Sequence, residues 1–156
     1  MPDFRVFKLE ERHLALAYPL ARSATGVSES RWHAFARETI ATGGGVLGIE
    51  AEDRCLYGLA AFGAQRTLRH GEALCVELLV AVDLAGNRPV RSALCASLDE
   101  IARARGLASV LVTLTPGCPA LGWTNAELVP DTVGYMRQTA PAEGTASLVP
   151  RQEWRR

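Results

Sequence analysis

The segment from residue 72 to residue 114 constrains the fold more than any other part of the chain. It opens with EALCVELLVAV, an apolar run interrupted in its middle by Glu77 alone. A run this continuous suits a central strand covered on both faces. The turn DLAGNRP follows, after which Val90, Leu94, Leu98, Ile101 and Ala102 recur at helical spacing up to Gly106, a natural helix stop. Residues 107–114 are apolar again and read as a second buried strand. Strand, helix and strand in this order form a β-α-β unit, in which the helix carries the chain across one face of a sheet.

The chain before this unit supplies the rest of the sheet. Residues 4–9 alternate apolar and polar and read as a first strand. Residues 10–22 have helical character, with a stop or kink expected at Pro19. Residues 28–42 form a second helix, with Ser28 as its N-cap, Arg31 where a capping-box acid would stand, and Gly43-Gly44-Gly45 as its end. Residues 46–51, 54–63 and 72–82 then make a three-strand meander, joined by the turn Glu52-Asp53 and a loop over 64–71. Downstream, 116–127 reads as a short irregular helical stretch and 132–138 as a strand, with 146–149 folding back onto it. The expected class is α/β (α+β), with a mixed, mostly antiparallel central sheet of six to seven strands and helices on both faces. One domain spans 1–140, and 141–156 is either a C-terminal strand or a mobile tail.

Composition narrows the function classes. Lys and Arg total 17 and Asp and Glu total 17, so net charge is zero. That balance argues against a protein built to grip nucleic acid through its phosphates, although the WRR terminus is a local basic patch. No apolar run is long enough to span a membrane, and MPDFRVFKLEERH carries charges where a secretory signal is apolar. A cytoplasmic protein is expected. Cys55, Cys75, Cys95 and Cys118 stand alone in apolar surroundings, which suits buried small hydrophobes better than a metal site or disulfides.

The stretch VELLVAVDLAGNRPVRSALCASLDEIARARGLASVLVTL resembles the central segment of the GNAT superfamily of acetyl-CoA-dependent N-acetyltransferases. The order of elements over residues 4–138 is similar too, as is AELVPDTVGYMR to the closing strands. The family's phosphate-binding turn reads Arg or Gln, two residues, Gly, one residue, then Gly or Ala. Gly86-Asn87-Arg88-Pro89-Val90-Arg91 aligns with it, and departs from it at Gly86, Pro89 and Arg91. The resemblance implies that residues 87–92 hold the pyrophosphate of acetyl-CoA at a helix N-terminus, with Asn87, Arg88, Val90, Arg91 and Ser92 in contact. Arg88 and Arg91 would exchange lost glycine amides for charge-assisted bonds. It also implies that the backbone of Leu79, Val80 and Ala81 receives the pantetheine arm like an added strand, with Val82 if the register slips. No metal is implied.

Transfer of an acetyl group to an amine needs a neutral nitrogen. An amine of pKa near 10.4 costs about 4–5 kcal/mol to deprotonate at pH 7. Glu77 is the candidate base, because an acid amid an apolar strand is expensive without a purpose. The structural reading, a charge paired with an arginine or reaching the sheet edge, stands beside it. Glu72 and His70 are weaker candidates. The position at which the family places a thiolate-protonating tyrosine holds Trp123, so no tyrosine role is carried over and water takes it; Tyr57 or Tyr135 would replace it only if the fold brought them close. The acceptor, a small-molecule or peptide amine, would lie over the first two helices near Trp32 and His33. Two further readings belong to other classes. One is a GNAT-fold module that binds acyl-CoA or a protein partner without turnover. The other is a homodimeric scaffold.

Overall fold

The computed structural model describes residues 3–83 and 88–114. Among them are five strands in the spatial order of the chain, β1 (Arg5–Lys8), β2 (Gly45–Glu50), β3 (Leu56–Thr67), β4 (Gly71–Ala81) and β5 (Val110–Val112). The first four pair antiparallel and β5 joins β4 in parallel, so the sheet is mixed as the β-α-β unit requires. The strands expected at 132–138 and 146–149, the helical stretch at 116–127 and the tail lie outside the described residues, as do Asn87, Cys118, Trp123 and Tyr135.

Among the described residues three α-helices cover the sheet, α1 (Leu14–Thr25), α2 (Glu29–Ala41) and α3 (Pro89–Ala104). Each face has its own core. On one, Leu14, Ala17 and Ala21 of α1 and Trp32 and Ala36 of α2 pack on Val46, Leu59, Ala61 and Leu78. On the other, Val90, Leu94, Leu98 and Ala102 of α3 pack on Leu47, Ile49, Ala60, Phe62, Leu74 and Val76. The i, i+4 spacing that predicted α3 is therefore the stripe that it buries. The buried Trp32 indole donates to the Leu14 carbonyl at 2.8 Å, which fixes α2 against α1 without leaving a polar atom unpaired.

Two expectations are corrected. Of the stop or kink expected at Pro19 the stop does not occur, since α1 runs through Pro19 to Thr25. Pro19 and Ala15, the residue whose carbonyl loses its bond, are both on the exposed side, where water replaces the missing donor. The loop expected over 64–71 is mostly strand, since β3 continues to Thr67 and closes on Gly71. Polar Gln65 and Arg66 look like loop residues in the sequence because the hairpin runs beyond the core there. Arg66 lies directly opposite Glu72, and their side chains pair at 3.6 Å across an exposed ribbon.

A smaller misreading concerns the cysteines. Cys95 is buried and Cys75 half-buried, but Cys55 is exposed in the turn before β3. Burial pushes the Cys95 thiol up to about 12.

The close packing of α3 on the sheet depends on Gly58 of β3. A Cβ there would stand 2.7 Å from Ile49, 2.9 Å from Leu94 and 2.9 Å from Val90. Gly58→Ala is expected to lower unfolding stability by about 1–3 kcal/mol through overpacking. Urea denaturation checks this, and an unchanged midpoint would contradict it.

Candidate functional site

The site begins with one surplus residue in β4. Leu78 faces Ala61 across the ladder and Val76 faces Phe62, the next residue of β3, which leaves Glu77 without a partner. This is a β-bulge. Its effect appears in the cores: Leu74 and Val76 pack beneath α3, Leu78 joins the opposite core, and Leu79 and Ala81 return to the α3 side. The bulge therefore shifts the period-2 alternation by one residue. The sequence signal for this was the pair Glu77-Leu78 inside an otherwise unbroken apolar run.

Beyond the bulge β4 has no second neighbour among the described residues. The strand β5 pairs with Leu74, Cys75 and Val76 only. The flanking bonds, Leu74 N–H to the Ser109 carbonyl and Thr113 N–H to the Val76 carbonyl, are each 2.9 Å. From Leu78 to Ala81 the described pairing of β4 is with β3 alone. The Val82 N–H donates to the Tyr57 carbonyl of β3 at 2.7 Å. Alternation along a strand then turns the N–H and C=O of Ala81 and Leu79 toward the opposite, open edge. A cleft of ≈ 270 Å³ lies there, lined by Leu78 to Ala81, Glu77, Arg91, Thr113, Leu114 and residues of α1. Leu79, Val80 and Ala81 thus share one cleft with Arg91 and Glu77.

Glu77 is exposed. The argument that burial makes it expensive therefore does not hold, and its position is what remains notable. It lines the β4–β5 cleft and two more: one of ≈ 210 Å³ with Trp32, Phe35, Val27 and Arg31, and one of ≈ 170 Å³ with Thr39, Thr42, Gln65 and Cys75. The acceptor region expected over the first two helices opens onto it through Trp32, although the indole itself is held in the core. Its nearest described partner is the Gln65 amide at 3.5 Å, not an arginine. Glu72 pairs with Arg66 at the far end of the strand, and the His70 amide bonds the Thr67 hydroxyl in the hairpin turn. Neither lines these clefts. Tyr57 donates to Asp53 at 2.7 Å, and that bond with the carboxylate charge raises its pKa, making it a poorer acid for a thiolate.

The start of α3 departs from expectation. Pro89 occupies its first turn, as helix chemistry favours, and Arg88 before it is left-handed at φ 51°. The amides of Val90 and Arg91 donate to the two carboxylate oxygens of Asp83, at 2.8 and 3.2 Å. The Ser92 amide bonds the Arg88 carbonyl at 3.0 Å, and the Val90 side chain is buried beneath the sheet. Of the residues expected to cradle a pyrophosphate, Val90, Arg91 and Ser92 have their amides engaged within the chain. Sequence reasoning missed Asp83 because a helix cap is sought next to the helix, not across the intervening turn. The Arg91 guanidinium behaves otherwise: its Nη1 is buried with no partner among the described residues.

No family model matches the chain, and no curated protein sequence does. Solved structures do match. An aminoglycoside 6'-N-acetyltransferase from Acinetobacter baumannii superposes with a TM-score of 0.68 at 10% identity, over 86% of this chain and 99% of its own. The chain has the GNAT fold. Glucosamine-6-phosphate N-acetyltransferase from Arabidopsis thaliana gives 0.61 at 15% identity, over 84% and 98%. An aminoglycoside N-acetyltransferase in complex with CoA gives 0.66 at 13%, over 74% and 80%. The GNAT resemblance read from residues 72–114 is thus met by the architecture of the sheet and helices.

A buried polar nitrogen with no partner, as Arg91 Nη1 is among the described residues, costs about 1–3 kcal/mol. Arg91→Met, which keeps the packed stem and removes the charge, is expected to leave the denaturation midpoint unchanged or raise it. A loss of more than about 1 kcal/mol would show that the guanidinium is structural.

Proposed function

We propose that the chain is an N-acetyltransferase that takes an acetyl thioester of the coenzyme A type in the β4–β5 cleft and passes the acetyl group to an amine. The observation that carries this reading is the end of β4–β5 pairing at Val76, with Glu77 at one end of the resulting cleft and Arg91 lining it. The open edge at Leu79 and Ala81 suits an amide-bearing arm, which would add to β4 as a short strand does. The Arg91 guanidinium suits an anionic group of the donor. Arg88 and Ser92 stand at the same helix end, and Asn87 precedes them in the sequence.

The acceptor would approach from the clefts beside Trp32 and Phe35, which meet the donor cleft at Glu77. Glu77 takes a proton from the amine, directly or through water, so that nitrogen attacks the thioester carbon. The N–C bond forms as the C–S bond breaks, and the nitrogen's second proton passes through water to the thiolate, a good leaving group with pKa near 8.5. Neither a small-molecule nor a peptide amine is favoured by the described residues. No described helix is long and apolar enough to cross a membrane.

A second reading is binding without turnover. It is favoured by the exposure of Glu77, which removes the energetic argument for a functional acid. One experiment separates the two. At a hundredfold excess over Kd a bound donor adds about 2.7 kcal/mol of stability, several degrees in Tm for a chain of this size. Acetyl-CoA is expected to give that shift, and an amine panel is expected to release thiol. Glu77→Gln should keep the shift and slow release about 10²–10⁴-fold. A shift without thiol release would establish the binding module, and no shift at millimolar donor would remove both readings.

A further inference from the structure

Asp83 bears on which part of a donor the site recognises, an inference that rests on the thioester reading above. A helix start binds phosphate through amides that have no partner inside the helix. In the first turn of α3 those groups are spent. Pro89 has no N–H, Val90 and Arg91 donate to the two oxygens of Asp83, and Ser92 is the first amide bonded inside the helix, to the Arg88 carbonyl. A carboxylate held by two amides at the positive end of a helix is already the anion that such a place stabilises. A diphosphate arriving there would have to expel Asp83 or lie against its charge. The cleft along β4 is different in kind: it offers an open backbone edge at Leu79 and Ala81, apolar walls, and a buried guanidinium nitrogen of Arg91 with no partner among the described residues.

We infer that Asp83 is a specificity-determining residue, a built-in substitute for ligand phosphate at the start of α3. The donor is recognised by its pantetheine arm and acyl group, while the diphosphate and the nucleotide beyond it add little. The ligand class is a pantetheine thioester. Arg91 remains available for one anionic group but does not restore the lost amides.

The test is calorimetric titration of the full chain with acetyl-pantetheine and with acetyl-CoA, for the wild type, Asp83→Asn and Asp83→Ala. Asparagine keeps one accepting oxygen for the helix and drops the charge, so it reports on affinity even where alanine unfolds the first turn. In the wild type the two dissociation constants are expected to agree within about threefold. Both variants are expected to tighten acetyl-CoA about tenfold and acetyl-pantetheine less than about twofold, with helical circular dichroism retained. The inference is overturned if wild type already prefers acetyl-CoA by about tenfold or more, or if the ratio is the same in all three proteins. Either result leaves the cleft reading standing. Binding of neither thioester by any of the three would remove the cleft reading as well.

Discussion

The site depends on a single backbone irregularity, the extra residue that Glu77 contributes to β4. Without it, β4 would alternate regularly from Leu74 to Ala81. A bulge increases the local twist of a strand, and among the described residues the second neighbour of β4 is lost beyond Val76. An open edge inside a sheet is normally a liability, because unpaired N–H and C=O groups cost free energy when water cannot reach them. Here the edge faces a cleft lined by Leu78 to Ala81 and Arg91. The same event places a carboxylate where three clefts meet. Geometry and chemistry therefore share one cause.

The surrounding interactions hold that opening in place. The helix α3 is seated by Gly58, which leaves no room for a side chain between sheet and helix, and its first turn is tied to the end of β4 by Asp83. On the other face, the Trp32 hydrogen bond to Leu14 keeps α1 and α2 together above Leu78. The charges at the end of β4 are treated unequally. Asp83 is satisfied by two amides, whereas Arg91 Nη1 is buried with no partner among the described residues.

Much of this was legible in the residues. Continuous apolar β4, the i, i+4 stripe of α3 and the buried β5 specified the β-α-β unit, and the meander before it followed from glycine and turn chemistry. Leu79, Val80, Ala81, Arg91 and Glu77 were selected from the sequence and line one cleft. What could not be read was relational. The exposure of Glu77 depends on a bulge that reveals itself only in the register with β3. The capture of the Val90 and Arg91 amides depends on a carboxylate seven and eight residues upstream, a contact that no local pattern encodes. Pro19 misled because its cost depends on which side of α1 faces water.

Amide hydrogen exchange along β4 tests the central claim most directly. In the free protein the amides of Leu79 and Ala81 should exchange quickly while that of Val82, bonded to Tyr57, is protected. Addition of acetyl-pantetheine should then slow Leu79 and Ala81 selectively, as an arm bonded to the open edge requires. Strong protection of both amides before any ligand is added would mean that β4 and β5 are paired throughout, and that there is no cleft between them.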